Sequence, residues 1–261
     1  DETFAIGCAI PFGLNSRQMS AWMYEGNGLK LMREFYAKYN IVNFPGGNTG
    51  AQMGGWYRTP IKSLADMKGL KMRVAGFAGR VMERMGVVPQ NLPGGEIYQA
   101  LEKGTIDAAE WVGPYDDEKL GFNKIAKFYY YPGWWEGSAG LTSMYNLAAW
   151  QKLPKHYQAV VEAAAADANM WMMAKYDAVN PAALRKLIAG GTQLRGFPRE
   201  IMEACFNSAQ ELYAETTAKN AKFKKIYDQW RDFRNSQLEW FRVTENSFDQ
   251  YMMGKSREKK V

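Results

Sequence analysis

Leu70-Lys-Met-Arg-Val-Ala-Gly76 alternates apolar and charged side chains over its first five positions. That is the pattern of a half-buried β-strand, and the glycine ends the run. A helix is expected to follow at residues 78–85, then a short strand at 87–90. Gly94-Gly-Glu-Ile97 opens a further helix to Lys103, and residues 106–112 read as a strand stopped by Gly113-Pro114. Strands and helices taking turns in this way predict an α/β fold with at least some parallel pairing.

Working outward, the apolar run from Phe4 to Pro11 reads as a buried strand that needs neighbours. Asn15 or Ser16 caps one helix through about Tyr39, with Met19, Trp22, Met23, Leu29 and Phe35 among its apolar positions. A strand at 41–44, the turn-rich Pro45-Gly-Gly-Asn-Thr-Gly50 and an extended piece at 51–57 come next. Beyond the central stretch lie a strand region at 137–145, a long helix over 154–190 bent near Pro181, and a short strand at 192–195. The remainder, 198–253, is helical in pattern. The α/β portion comes first and long helices come last, with no repeat and no Gly/Ser linker between them.

The chain has 261 residues, 47% apolar and 23% charged, which excludes a disordered or collagen-like polymer and a small disulfide scaffold. Lys+Arg 33 against Asp+Glu 27 leave a formal charge of +6, too mild and too dispersed to announce nucleic acid. His156 is the only histidine, so a multi-histidine metal centre is excluded; following Pro154-Lys155 at a helix start, it reads as a surface or capping residue. Cys8 and Cys205 match no metal spacing; they read as separate buried thiols, with pairing in an oxidising compartment as the alternative. No apolar run is long enough for a transmembrane helix. The chain begins at Asp1, not Met, which reads as a processed or trimmed chain, so the lack of a signal-peptide pattern says nothing of its destination.

Glycines at 46, 47 and 50 are followed by Ala51-Gln52 instead of Gly-Lys-[Ser/Thr], so they read as a tight turn near a ligand and not a phosphate loop. No Gly-x-Gly-x-x-Gly fingerprint stands between a strand and a helix, and no organic cofactor is expected. Arg73 is the sharper signal. A guanidinium at a strand end beside a helix N-terminus can grip a carboxylate with its planar fork while the free amides add to the field. Glu110-Trp111 sits at the end of the 106–112 strand, where open α/β sheets bind ligands, and Trp134-Trp135-Glu136-Gly137 repeats that chemistry in a loop. Glutamates beside a carboxylate trap make sense with a cation between them, held by oxygen ligands. Met170, Trp171, Met172 and Met173 read as helix-packing core, with an adaptable partner groove as the alternative. In the last helical stretch Phe223, Tyr227, Trp230 and Phe233 form a buried stripe. Lys219, Lys222, Lys224, Lys225, Arg231 and Arg234 form the solvated face behind it.

Ala9-Ile-Pro-Phe-Gly-Leu14, Gly54-Gly-Trp-Tyr-Arg58, Gly69-Leu-Lys-Met-Arg-Val-Ala-Gly76 and Leu101-Glu-Lys-Gly-Thr-Ile-Asp-Ala-Ala-Glu-Trp111 fall in one order along the chain. Together they resemble the solute receptors of TRAP (tripartite ATP-independent periplasmic) transporters, most closely the subgroup that binds 2-oxo acids and related monocarboxylates. The resemblance implies a two-lobed α/β periplasmic solute-binding fold with mixed sheets and long C-terminal helices. Residues 1–261 would form one solute-binding domain of two interleaved lobes, with crossings near 11–14, 111–115 and 137–145. Family members carry a further stretch ahead of the position matching Asp1, so the first lobe is expected to be incomplete and the chain truncated at its N-terminus.

The same resemblance gives Arg73 the substrate carboxylate. It gives Gln52, the Trp111 backbone carbonyl and Glu136 a bridging cation, sodium or calcium, and makes Trp134 and Trp135 walls of the cleft. Its implied partners are a small organic acid such as pyruvate or a 2-hydroxy acid, the TRAP membrane permease subunits, and a second copy in a homodimer; nucleic acid is not among them. Its implied place is the periplasm. The rival reading is an enzyme acting on 2-oxo acids, with Glu110 or Glu136 as base and the cation as Lewis acid.

Overall fold

The alternation at 70–74 forms β3 (Lys71–Arg73), which runs parallel to β4 (Val88–Gln90) on one side and to β5 (Ala108–Ala109) on the other. β2 (Trp56–Tyr57) pairs antiparallel with both β5 and β6 (Phe128–Tyr131), and β8 (Gln193–Gly196) closes the row parallel to β6. The result is a mixed six-stranded sheet in the order β4-β3-β5-β2-β6-β8. A second sheet has two strands, β1 (Ile41–Asn48) and β7 (Gly140–Asn146), antiparallel. The computed structural model describes residues 1–258. None of the described helices is long and apolar enough to cross a membrane.

Helices α3 (Gly76–Arg84) and α4 (Gly94–Lys103) connect the parallel strands, and α5 (Pro114–Leu120) follows β5. The α/β expectation therefore stands. The first apolar run is not a strand. Glu2–Gly7 is a 3-10 helix, because the Asp1 carboxylate accepts the Thr3 N–H at 3.1 Å and starts a turn that buries Thr3, Ile6 and Gly7. The single helix expected to Tyr39 is two, α1 (Ser16–Tyr24) and α2 (Gly28–Ala37). Asn27 breaks them at φ 65°, and the flanking Gly26 and Gly28 lie against Trp22 too closely for a side chain. β1 continues through the expected 45–50 turn, absorbing it as an irregularity between Pro45 and Gly47. Of the strand expected at 106–112, only Ala108–Ala109 joins the ladder.

Two larger cores flank the six-stranded sheet. One gathers the N-terminal 3-10 helix, α1, α2 and α3 against α8 (Arg199–Lys219) and α9 (Ala221–Val243); the other gathers Ile97, Leu101, Trp56 and Tyr129 with Leu187 of α7 (Lys155–Ala189). Trp22, Trp56, Trp135 and Trp230 are almost wholly buried. Each such ring contributes about 4–6 kcal/mol of apolar burial before the cost of ordering it, at roughly 25 cal/mol per Å2. A smaller cluster ties β1 to α7 through Val42, Phe44 and Ala165.

The C-terminal stripe forms as expected in α9, with Phe223, Tyr227 and Trp230 buried and Lys222, Lys224 and Lys225 exposed. Arg234 departs from it: this residue is buried, donates to the Phe12 carbonyl and lies over the Trp230 ring. Met170 and Trp171 depart further, each 61% exposed on α7, so the core reading fails for these two, while Met172 and Met173 are half-buried and Met172 lies against Gly47 of β1. The long helix runs continuously through Pro181. His156 is exposed at its start, and α6 (Leu147–Lys152) and α10 (Glu245–Glu258) complete the chain as described.

Candidate functional site: a carboxylate-lined cleft

β3 and β5 end side by side, and there the chain leaves the ladder. Arg73 closes β3 and Glu110-Trp111 follows β5, so all three side chains turn out at the strand ends into a cleft of about 380 Å3. Trp135 and Glu136 line it from the loop after β6, and Cys8 and Pro11 from the N-terminal segment. The first turn of α3 supplies Gly76, Phe77 and Ala78. That helix has no side-chain cap, so its leading amides face the cleft without an internal acceptor. Gly76 enters the helix at φ 59°, a conformation that only a residue lacking Cβ adopts cheaply.

Arg73 is held from three directions. Its Nε donates to the Leu92 carbonyl at 3.3 Å, and its Nη1 donates to the Glu110 carbonyl at 3.0 Å and to the Glu110 carboxylate. Its guanidinium lies 5.1 Å from the Trp111 ring centre. Nη2 has no acceptor among the described residues, and it is the part of the fork left for an incoming anion.

Two acids share this one cation. Burial pushes Glu110 up to about 8, against the pull of Arg73 and with a further push from Glu136 and Asp117. Burial likewise lifts Glu136 to about 7, again opposed by Arg73. Positive charge is therefore in short supply here. Cys8 is open to the cleft, yet desolvation by its walls and the Glu136 charge push its thiol up to about 11. Cys8 and Cys205 are both free, and only Cys205 is buried as expected.

Gln52, Trp111 and Glu136 are brought together by the backbone. The Gln52 N–H donates to the Glu136 carbonyl at 3.1 Å, and the Met53 N–H to the Val112 carbonyl at 3.0 Å. Gly133 N–H returns to the Gln52 carbonyl at 3.0 Å. Gln52 Nε2 donates to Thr49 Oγ1 at 3.2 Å, which commits the amide and leaves Oε1 buried without a partner. Among the described residues no donor reaches the Trp111 carbonyl or the Glu136 carboxylate. An amide oxygen, a main-chain carbonyl and a carboxylate thus lack donors on segments that the backbone ties together, although Gln52 itself is not part of the cleft lining. A hard cation such as sodium or calcium fits that donor set. Among the described residues no three His, Cys, Asp or Glu side chains gather as a metal cluster.

Trp134 does not reach the cleft: it stacks on Phe12 at 5.2 Å inside the core, leaving Trp135 as the tryptophan of that pair in the wall. Gly46 and Gly47 belong to β1, away from the cleft lining. Sequence reasoning missed Asp117, a buried acid behind Trp111, and Thr49, which orients Gln52. An acid in the first turn of a helix looks solvated in sequence, and nothing local marks Asp117 as buried.

A cleft at the ends of two adjacent strands, with one arginine, an uncapped helix and a set of donorless oxygens, defines a solute-binding protein of two-lobed α/β type. The chain belongs to the DctP family, bacterial extracellular solute-binding protein family 7, whose model matches residues 1–220. It is 52% identical over 247 residues to a monocarboxylate 2-oxoacid-binding periplasmic protein of Nostoc sp., covering 95% of this chain and 68% of that one. A TRAP transporter solute-binding protein from Bordetella bronchiseptica superimposes at a TM-score of 0.96 and 54% identity, over 99% of this chain and 77% of that one. It was solved as a mixed-occupancy dimer with copurified calcium and picolinate. A TRAP periplasmic solute-binding protein from Pseudoalteromonas atlantica with bound sodium and pyruvate superimposes at 0.92 and 38% identity, over 96% and 76%.

Proposed function

We propose that this protein is the periplasmic receptor of a TRAP transporter. It captures a small monocarboxylate, a 2-oxo acid such as pyruvate or a 2-hydroxy acid, together with a sodium or calcium ion, and delivers the acid to membrane permease subunits. The observation that carries this reading is a cleft lined by Arg73, Trp111 and Glu136, with Gln52, whose Oε1 is buried without a partner, tied to Glu136 through its backbone N–H. Arg73 Nη2 and the leading amides of α3 take the carboxylate. Gln52, the Trp111 carbonyl and Glu136 would hold the cation, which would neutralise the excess acid charge there and supply a positive centre for the acid's own oxygens. A carboxylate with an adjacent keto or hydroxyl oxygen suits that chelate. Trp135 closes one wall against water.

The crossings between lobes fall near 11–14, 111–115 and 137–145, and Pro11, Trp111 and Val112 in the cleft lining support that division. A homodimer is part of the same proposal. The raised carboxyls of Glu110 and Glu136 would also serve an enzyme as acid and base, but Cys8, the thiol lining the same cleft, is pushed up to about 11 and so is held in its weakly nucleophilic protonated form.

The test is a calorimetric titration of metal-stripped protein with pyruvate, repeated with calcium or sodium restored. Tighter binding on restoring the cation, lost in Glu136→Gln, is the expected result, because each ligand strengthens the other by linkage. Equal affinity with and without cation overturns the bridge. Following the same mixture by NMR separates the rival: a stoichiometric complex is the receptor's outcome, and turnover of pyruvate the enzyme's.

A further inference from the structure

Asp117 is 1% exposed and makes no contact with the cleft, yet both of its carboxylate oxygens are engaged. Oδ2 accepts from Trp56 Nε1 at 2.9 Å and from the Tyr129 hydroxyl at 2.7 Å. These two donors sit on β2 and β6 in the middle of the sheet, with their rings stacked 4.0 Å apart. Oδ1 accepts the Val112 N–H at 3.2 Å. That N–H belongs to the same planar unit as the Trp111 carbonyl. In a trans peptide the two groups point in opposite directions. Drawing the Val112 N–H inward to Asp117 therefore turns the Trp111 oxygen outward, away from the core. The next carbonyl along, that of Val112, is fixed in turn by the Met53 N–H.

We propose that Asp117 is the positioning residue of the cation site: anchored to the sheet by Trp56 and Tyr129, it holds the Trp111–Val112 peptide so that its carbonyl is presented to the ion. The inference rests on the proposal that the Trp111 carbonyl is a cation ligand. Two effects act together. The first is orientation, since a peptide unit bonded through its N–H to a rigid acceptor does not flip. The second is polarisation: an acceptor bearing negative charge draws on the N–H and leaves more electron density on the carbonyl oxygen, a better ligand for a hard ion. The site then has a rigid line of support, from stacked aromatic strands through a carboxylate to a main-chain oxygen.

The experiment is calorimetric titration of calcium alone into metal-stripped protein, comparing the parent with Asp117→Asn, Glu136→Gln and Ile97→Val. The last is a core change near Trp56 and Tyr129 that touches neither the acid nor the cleft. Asp117→Asn is expected to weaken calcium ten- to a hundred-fold, the usual cost of losing an outer support of a ligand. Ile97→Val lowers the melting temperature but leaves calcium affinity within two-fold. If Asp117→Asn binds calcium as tightly as the parent while Glu136→Gln does not, the Asp117 role is overturned and the cation site stands. If neither the parent nor Glu136→Gln takes up calcium, both fail. Should Asp117→Asn not fold, the parent decides the matter by NMR. Calcium is expected to shift the Trp111 carbonyl carbon and the Val112 amide together, and unmoved signals overturn the proposal.

Discussion

Arg73 commits three of its five N–H donors to its own chain, two to Glu110 and one to Leu92. On the proposed reading an incoming carboxylate would meet a guanidinium already held by these bonds, with Nη2 without an acceptor among the described residues. Lysine in its place keeps the charge but has neither the planar fork nor the bonds that fix it. Arg73→Lys is therefore expected to cost about 1.5–3 kcal/mol of pyruvate binding, as for other charge-assisted bonds. Calorimetry checks this, and affinity unchanged within a factor of two would sink the role. Asp117 supports a second prediction. Burial raises its carboxyl from 3.8 to about 6 against the pull of Tyr129, Trp56 and Val112. The folded state thus binds this proton more tightly than the unfolded chain. Its contribution to stability is complete below about pH 4 and lost as pH rises through about 6. Asp117→Asn has no such proton to lose. Thermal melts at pH 4 and pH 7 should show the parent losing ground to the variant across that window. Of these residues, Arg73 and Glu136 were legible in sequence because a strand end and a Trp-Trp-Glu-Gly loop are local patterns. Asp117 and the inward turn of Trp134 depend on what the sheet places behind them, and no neighbour in sequence announces it.

At the scale of elements, local pattern and observed structure part company where the chain ends make bonds. Strict alternation found β3, and glycine punctuation found α3 and α4. The 4–11 run misled because apolar content was read without the Asp1 cap that turns it into a 3-10 helix. The 106–112 run was shortened to two ladder residues because Glu110 and Trp111 serve the cleft instead of the sheet. The clearest prediction here concerns the α3 entrance. Gly76 stands at φ 59°, and a Cβ there would meet nothing within 4 Å. Gly76→Ala therefore carries a conformational cost without a clash, about 1–2 kcal/mol of stability for a non-glycine residue held in the left-handed region. Denaturant unfolding measures it. A loss of pyruvate affinity should accompany the change if the leading amides retilt to relieve that strain.

At the scale of the whole molecule, the cleft draws its walls from the N-terminal segment, the ends of β3 and β5, and the loop after β6. A ligand that joins Arg73 to Gln52 and Glu136 pulls these parts toward one another. Saturating pyruvate with calcium is expected to reduce the radius of gyration in small-angle scattering, the signature of hinge closure. Identical profiles with and without ligand would count against it.

The docking of the last helices onto residues 1–12 has a consequence in time. The Tyr213 hydroxyl donates to the Pro11 carbonyl, Asn220 to the Asp1 carboxylate and Arg234 to the Phe12 carbonyl; β8 joins the sheet only at residue 193. A chain emerging from the ribosome can finish neither core until its last third has been made. Contacts so distant in sequence also form slowly, because the loop must be closed before it is rewarded. Until then both cores lack part of the surface that buries them. A chain whose cores close only at the end stays extended for longer, and an extended polymer can be threaded through a narrow channel where a finished globule cannot.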